Sequence, residues 1–387
     1  MRIAIDCRPI TDPESGGMAG IGHYAHSLVR HLLRIDEENA YTLLFDERVS
    51  KDTVNLLIGG HRNAERKILP LSRFKRFFPY AYSHRYVASA IVKTGADIFH
   101  GTTGSLPLGY RGRSVVTVHD MAIYLHPEWF PGGQFFSRRL VVPASLRRAE
   151  RLIAVSESTK EDLRRLFLVP SEKIAVVHEG VEPPPPGAWD LPALKGLEKP
   201  YLLFLGTVEP RKNVEGLVRA YVSLAERFPK LASGAELVIA GGRGWKSEAA
   251  FAAIEAANRR FGRSGPRIRA LGYVPEEDKI ALMARAKAFV FPSRYEGFGL
   301  PVLEAMALGV PVITSNLSSL PEIAGRGAAL LVDPENPVEI SLAMKHLLED
   351  EAKRAELGRR GLMRSTDFRW DKMAGETLEV YEEAARA

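Results

Sequence analysis

A chain of 387 residues, 45% hydrophobic and 26% charged, has room for two domains at roughly 150 residues each, and this composition excludes a disordered, collagenous or disulfide-scaffold protein. The single cysteine, Cys7, excludes an intramolecular disulfide and any zinc site built on two or more thiolates, and it suits a reducing compartment. The net charge of +6 favours anionic partners, and no apolar run approaches the about 20 residues that span a bilayer.

In chain order, short apolar strands alternate with amphipathic helices. The N-terminus meets a charge at Asp6 and reads as a strand rather than a signal peptide. Strands are predicted at 2–6, 41–45, 97–100, 114–119, 151–156 and 173–178. After the first of them, Ile21, Tyr24, Ala25, Leu28, Val29, Leu32 and Leu33 recur with helical period. Ser158 and Glu161 stand at capping-box spacing for the helix after the fifth strand. Pro183, Pro184, Pro185 and Pro186, with Pro192 beyond them, can continue neither a helix nor a central strand. They predict a stiff linker.

A second alternation follows. Its strands are predicted at 201–205, 236–240, 267–273, 288–292, 310–314 and 328–332, with helices at 213–228, 247–261, 276–286 and 300–308. The expected organisation is a first domain over 1–183, a linker over 184–199 and a second domain over 200–367. The C-terminal helix 368–387 is expected to pack back on the first domain. The fold class is α/β: two Rossmann-like domains with parallel sheets, facing across a cleft. Ligands then belong at the carboxyl ends of the strands, where helix N-termini point.

Four elements carry chemistry. The densest runs from Phe291 through Glu296, Gly297, Phe298, Gly299, Leu300 and Glu304 to Ile313. Gly297 and Gly299 let backbone N–H groups approach an anionic or polyhydroxyl ligand. Glu304 falls about one turn into the next helix, and a carboxylate there suits a ribose diol. Glu296, before the turn, suits a second polyol. Arg211 and Lys212 follow a strand end and suit a diphosphate, one as a fork and the other as a point charge. The glycines Gly16, Gly17, Gly20 and Gly22 follow the first strand without the strict dinucleotide spacing. His119 and Asp120 end a strand, so that His119 either faces the cleft or is a core histidine bonded to a backbone carbonyl. His100 ends the preceding strand and is a candidate for acceptor contact. Ser156 either lines the cleft or caps a helix. No metal-ligand spacing is present, and no metal is expected.

Glu296 and Glu304 stand in an E-x7-E arrangement, and the stretch from Ser293 to Ile313 resembles the signature of the retaining nucleotide-sugar glycosyltransferases of family 4, which have the GT-B fold. The resemblance covers essentially the whole chain. It implies a nucleoside diphosphate sugar as donor substrate and no cofactor. It implies that Glu304 reads the ribose, Glu296 the sugar hydroxyls, and Arg211 with Lys212 the diphosphate. Gly297, Phe298, Gly299 and Leu300 are the donor-binding turn by the same resemblance. The resemblance also implies that Gly17, Gly20 and Gly22 form a loop over the diphosphate and that His119 touches the transferred sugar. By the same resemblance, the departing phosphate itself is expected to take the acceptor proton. Some relatives carry Arg directly after the glycine at Gly206, where this chain has Thr207.

The run from His119 to Pro131 resembles bacterial mannosyltransferases of polysaccharide assembly. GDP-mannose is the first expectation for the donor, before UDP-glucose, UDP-galactose and UDP-N-acetylglucosamine. The acceptor is expected to be a saccharide, on a lipid carrier or free. Residues 61–93 hold eight Lys or Arg against Glu65 alone, interleaved with Phe74, Phe77, Phe78, Tyr80, Tyr82 and Tyr86. This stretch predicts attachment to an anionic membrane surface, with the protein in the cytoplasm on the inner face of the membrane. The rival reading puts the aromatics in the core. No nucleic-acid motif accompanies the charge, so no nucleic-acid partner is expected. Two other functions compete: an NAD-dependent oxidoreductase, resting on the glycine loop alone, and a catalytically silent sugar-nucleotide-binding subunit.

Overall fold

Ile3, Ala4 and Ile5 are wholly buried in the first strand, β1 (Arg2–Asp6), as a strand covered on both faces requires. The computed structural model describes residues 1–12, 20–70, 82–188, 196–197, 199–262 and 265–387. The chain divides into two units, the first comprising Met1–Tyr124, Gly132–Gly180 and Arg369–Ala387, the second Leu125–Pro131 and Val181–Phe368.

The first unit is built on a seven-stranded sheet in the order β3-β2-β1-β4-β5-β6-β7. The remaining strands are β2 (Ala40–Asp46), β3 (Ala64–Leu69), β4 (Ile98–Gly101), β5 (Ser114–Val118), β6 (Arg151–Ala154) and β7 (Ile174–Val176). Every pairing is parallel. The strand order reverses between β1 and β4, which places a switch point at their carboxyl ends. Helix α1 (Ile21–Ile35) buries Tyr24, Ala25, Leu28, Val29, Leu32 and Leu33, the stripe that the periodicity marks. The C-terminal helix Trp370–Arg386 packs against α1 and the strands of this sheet, burying Trp370, Val380 and Tyr381.

The second unit holds six parallel strands in the order β10-β9-β8-β11-β12-β13. These are β8 (Tyr201–Leu205), β9 (Glu236–Ala240), β10 (Ile268–Gly272), β11 (Ala288–Phe291), β12 (Val312–Ser315) and β13 (Leu330–Val332). Phe204, Phe289 and Phe291 are fully buried and stacked, with ring centroids 5.6 and 5.7 Å apart along the row. Here the order reverses between β8 and β11, and the densest sequence motif follows β11.

Three expectations change. Strand β3 was not foreseen, because Ala64–Leu69 is an edge strand whose Glu65, Arg66 and Ile68 face solvent, so it carries no apolar alternation. The helix after β6, α2 (Glu157–Phe167), is capped by Ser156, whose Oγ accepts from the Thr159 N–H at 3.0 Å. The Ser158–Glu161 capping box is therefore two residues out of register, and Ser156 is a cap. The unit boundaries fall at Gly180/Val181 and Phe368/Arg369, the proline run goes with the second unit, and Leu125–Pro131 also groups there. Nothing in the alternation of elements marked that excursion.

Candidate functional site

In the second unit, the chain leaving β8 tightens into a short helical turn at Pro210–Lys212, stopped by Asn213 in the left-handed conformation. Asn213 tolerates that conformation better than most residues. Its Nδ2 donates to the carbonyls of Pro292 and Pro334, at 3.1 and 2.8 Å, tying the turn to the segment after β11. Arg211 and Lys212 thereby point at Glu296. Lys212 Nζ lies 2.6 Å from Glu296 Oε1 and Arg211 Nη1 lies 2.8 Å from Oε2. Ser293 Oγ donates to Oε1 at 2.7 Å, and Arg211 Nε reaches Glu209 Oε1 at 2.5 Å.

Glu296 and Lys212 are 5% and 7% exposed, so this cluster exchanges hydration for charge pairing. Burial pushes the Glu296 carboxyl up, but Arg211 and Lys212 outweigh it and hold the group below the usual carboxylate range. Burial and the neighbouring Arg211 lower Lys212, against the pull of Glu296. The Lys212 ammonium also sits 4.8 Å from the Phe291 ring centroid. With Glu209 included, two cations face two carboxylates in a rigid, largely dry cluster.

The turn after Glu296 leads into α3 (Leu300–Ala307), capped by Gly299 at φ 120°. That conformation favours glycine, and a Cβ there would lie 2.9 Å from Leu320 Cδ2 and push that methyl aside. Pro301 occupies the first turn. Ser318 Oγ accepts from the Glu296 N–H at 3.0 Å, and Ser319 Oγ lies 2.5 Å from the Phe298 carbonyl. Phe298 is buried and meets Phe368 edge-on. Leu300 is half-buried at the head of the helix. One turn along α3, Glu304 pairs with Lys279 of the helix Glu276–Ala284 at 2.6 Å. Burial opposes the Lys279 charge, yet Glu304 and Glu276 raise its pKa.

In the first unit, His119 follows β5. Its Nε2 donates to the Thr102 carbonyl at 2.8 Å, its Nδ1 lies 3.4 Å from Glu179 Oε1, and Tyr24 packs on it edge-to-face at 4.8 Å. The ring is thus fixed through both nitrogens. Asp120 accepts from the Ala122 N–H at 3.0 Å. Gly20 opens α1 at φ 57°, and Gly22 is buried in its first turn. Gly17 lies outside the described residues.

His100 requires a correction. It is wholly buried, with Nδ1 2.7 Å from the Tyr381 hydroxyl and Nε2 2.8 Å from Thr117 Oγ1. Burial, followed by His119, pushes its pKa down to about 3. It is a neutral core residue and does not meet an acceptor. Of the stretch 61–93, residues 71–81 lie outside the described residues. Tyr82 is buried and stacked on Tyr86, so it is core rather than interfacial. Among the described residues no helix is long and apolar enough to cross a membrane, and no group of three or more His, Cys, Asp or Glu is placed to hold a metal.

The sequence reading missed Lys279, Ser318 and Ser319, and gave Glu209 and Ser293 no role of their own. Glu209 adjoins the Arg211–Lys212 pair and was legible as a neighbour. Lys279 sits in an unremarkable charged helix and meets Glu304 only through the tertiary fold.

Residues 191–363 match the family described as Glycosyl transferases group 1, and residues 18–183 match Glycosyltransferase Family 4. The chain is 33% identical to O-antigen chain mannosyltransferase B of Escherichia coli, over 98% of this chain and 99% of that one. It is 30% identical to D-inositol 3-phosphate glycosyltransferase of Streptomyces avermitilis, over 100% of this chain and 87% of that protein. Among solved structures it is similar to sucrose-phosphate synthase from Thermosynechococcus elongatus, with TM-score 0.74, 22% identity and coverage of 99% and 98%. The chain belongs to the family 4 glycosyltransferases and has their two-sheet GT-B architecture.

Proposed function

We propose, from the premise that it is a family 4 glycosyltransferase, that this chain transfers mannose from GDP-mannose to a hydroxyl of a saccharide, free or lipid-linked, with retention at the anomeric carbon and without a metal. The observation that carries the reading is the Arg211–Glu296–Lys212 cluster, with Glu304 one turn into the helix that follows. Mannose is supported by the resemblance of the 119–131 run and by the name of the Escherichia coli relative.

In this reading Glu296 holds Arg211 and Lys212 in place before the donor arrives. The donor's diphosphate then meets cations that need no reorganisation, where buried charge acts most strongly. Both stabilise the charge that grows as the bond from the anomeric carbon to the phosphate oxygen breaks. The acceptor oxygen bonds to the anomeric carbon on the same face, and its proton passes to an oxygen of the departing phosphate. Glu304 takes the ribose diol, exchanging Lys279 for it in part. Gly297, Phe298, Gly299 and Leu300 present the turn to the donor, Glu296 offers its edge to the sugar hydroxyls, and the resemblance assigns His119 to the transferred sugar. The resemblance assigns Gly17, Gly20 and Gly22 to the diphosphate.

The test is nucleoside diphosphate release from GDP-mannose, UDP-glucose, UDP-galactose and UDP-N-acetylglucosamine, with and without mannosyl acceptors, in EDTA and in Mg²⁺. GDP release from GDP-mannose that is insensitive to EDTA, with an α-anomeric product by NMR, is the expected result. Release from a UDP-sugar alone would replace the donor, a β-linked product would remove retention, and loss of activity in EDTA would remove metal independence.

A further inference from the structure

The carboxyl ends of β1 and β2 carry the same small device twice. Asp6 ends β1 and Asp46 ends β2, and each is followed two residues later by an arginine, Arg8 and Arg48. Asp6 accepts the Arg8 backbone N–H at 3.2 Å, Nε at 2.7 Å and Nη2 at 2.6 Å. Asp46 accepts the same three groups of Arg48 at 3.0, 3.0 and 2.7 Å. The strands are parallel neighbours with Asp6 in register with Leu44, so Asp46 stands two residues further along than Asp6, and both lie at the carboxyl edge of the sheet, where α/β folds bind ligands. Both couples border one cavity of about 310 Å³, walled also by Ser83 and Thr103.

We propose that this cavity is a carbohydrate-ring site, one that takes a neutral pyranose of the acceptor through the twin Asp–Arg couples. The proposal rests on the glycosyltransferase reading, of which it specifies the acceptor side. Three observations carry it. The carboxylates are 1% and 2% exposed and engage Nε and Nη2 of each guanidinium, while Nη1 of each has no partner among the described residues. The second is charge. Among the described residues that line it, two carboxylates cancel two guanidiniums, so that lining lacks the excess positive charge that selects phosphate. It offers fixed donors beside fixed acceptors, and sugar hydroxyls each donate and accept. The third is shape. The volume lies at the small end of the about 300–1,000 Å³ typical of ligand sites, and Pro9 and Ile21 on the wall supply an apolar surface for the C–H face of a ring.

A purely structural role for the couples, as strand-end ties, would leave saccharide binding indifferent to Arg48. Its side chain is 65% exposed, so Arg48→Gln is expected to fold normally, with Thr103→Val as a second variant. The probes are the methyl α-glycosides of mannose, glucose, galactose and N-acetylglucosamine, followed by saturation-transfer NMR and calorimetry on the full chain. Inorganic pyrophosphate is the anionic comparison. The expected result is binding of at least one glycoside to the wild type, weakened about tenfold in Arg48→Gln, as for one lost charge-assisted hydrogen bond, with GDP affinity unchanged. No glycoside binding to the wild type, or equal binding by wild type and both variants, overturns the site. Pyrophosphate binding that depends on Arg48 overturns it in favour of an anion site. Because binding is read without turnover, failure of donor hydrolysis would refute the glycosyltransferase reading while leaving this measurement to stand on its own.

Discussion

Replacing Glu296 with glutamine keeps the shape of the side chain and removes its charge. Lys212, 7% exposed, would then face Arg211 with only the Glu209 carboxylate left in the cluster. Breaking a buried ion pair by removing one partner costs about 3–5 kcal/mol. The amide oxygen can still accept one hydrogen bond, so a loss of roughly 2–4 kcal/mol is the expected range. Urea unfolding of wild type and Glu296→Gln at pH 7 measures it. Because the folded-state pKa of Glu296 is lowered, its contribution is fully present above the ordinary carboxylate range. It disappears as pH falls through the lower folded-state value. The stability gap between the two proteins should therefore shrink in acid. A nucleoside diphosphate should offset part of the loss of negative charge, so saturating GDP should stabilise the variant at least as strongly as wild type, by about 2.7 kcal/mol at one hundred times Kd. A gap under about 1 kcal/mol, or one that is constant from pH 7 to pH 3, would refute the view that Glu296 organises the two cations.

Two further outcomes follow from the same geometry. Glu304→Ala should weaken GDP and GDP-mannose binding alike, by roughly 1.5–3 kcal/mol in calorimetry, because the ribose belongs to both; unchanged GDP affinity would remove the ribose assignment. His100 has a folded-state pKa of about 3, below its ordinary value. As pH falls below about 6.5, the unfolded chain takes up a proton that the folded chain refuses, and stability falls by up to roughly 1.4 kcal/mol per unit. His100→Asn should flatten that acid limb, and an unaltered slope would show that this histidine does not set it.

The strands buried on both faces were legible because Ile3–Ile5 and Leu202–Phe204 cannot be anything but interior. Strand β3 was not, since its edge position leaves polar side chains in water and erases the alternation. The motif around Glu296 and Glu304 was readable as a spacing, yet its partners were not. Lys279 is brought to Glu304 by helix packing, and the contacts of Ser318 and Ser319 form only because the β12 connection folds over the turn. His100 shows the converse error. A histidine at a strand end looks chemical, but whether it meets a ligand or Tyr381 depends on a helix 281 residues away in sequence.

That distant helix also bears on the order in which the chain can be assembled. The first unit is closed by Arg369–Ala387, a stretch made after the second unit, which is complete at Phe368. At about 5–20 residues per second, the α1 face that receives the C-terminal helix, with Trp370 beside His23, waits until the second unit has been made. The first unit is thus begun before the second and closed after it. A nonsense codon near Arg369 would leave the second unit with all of its strands and the first unit with an open apolar face, a natural target for chaperones and proteases.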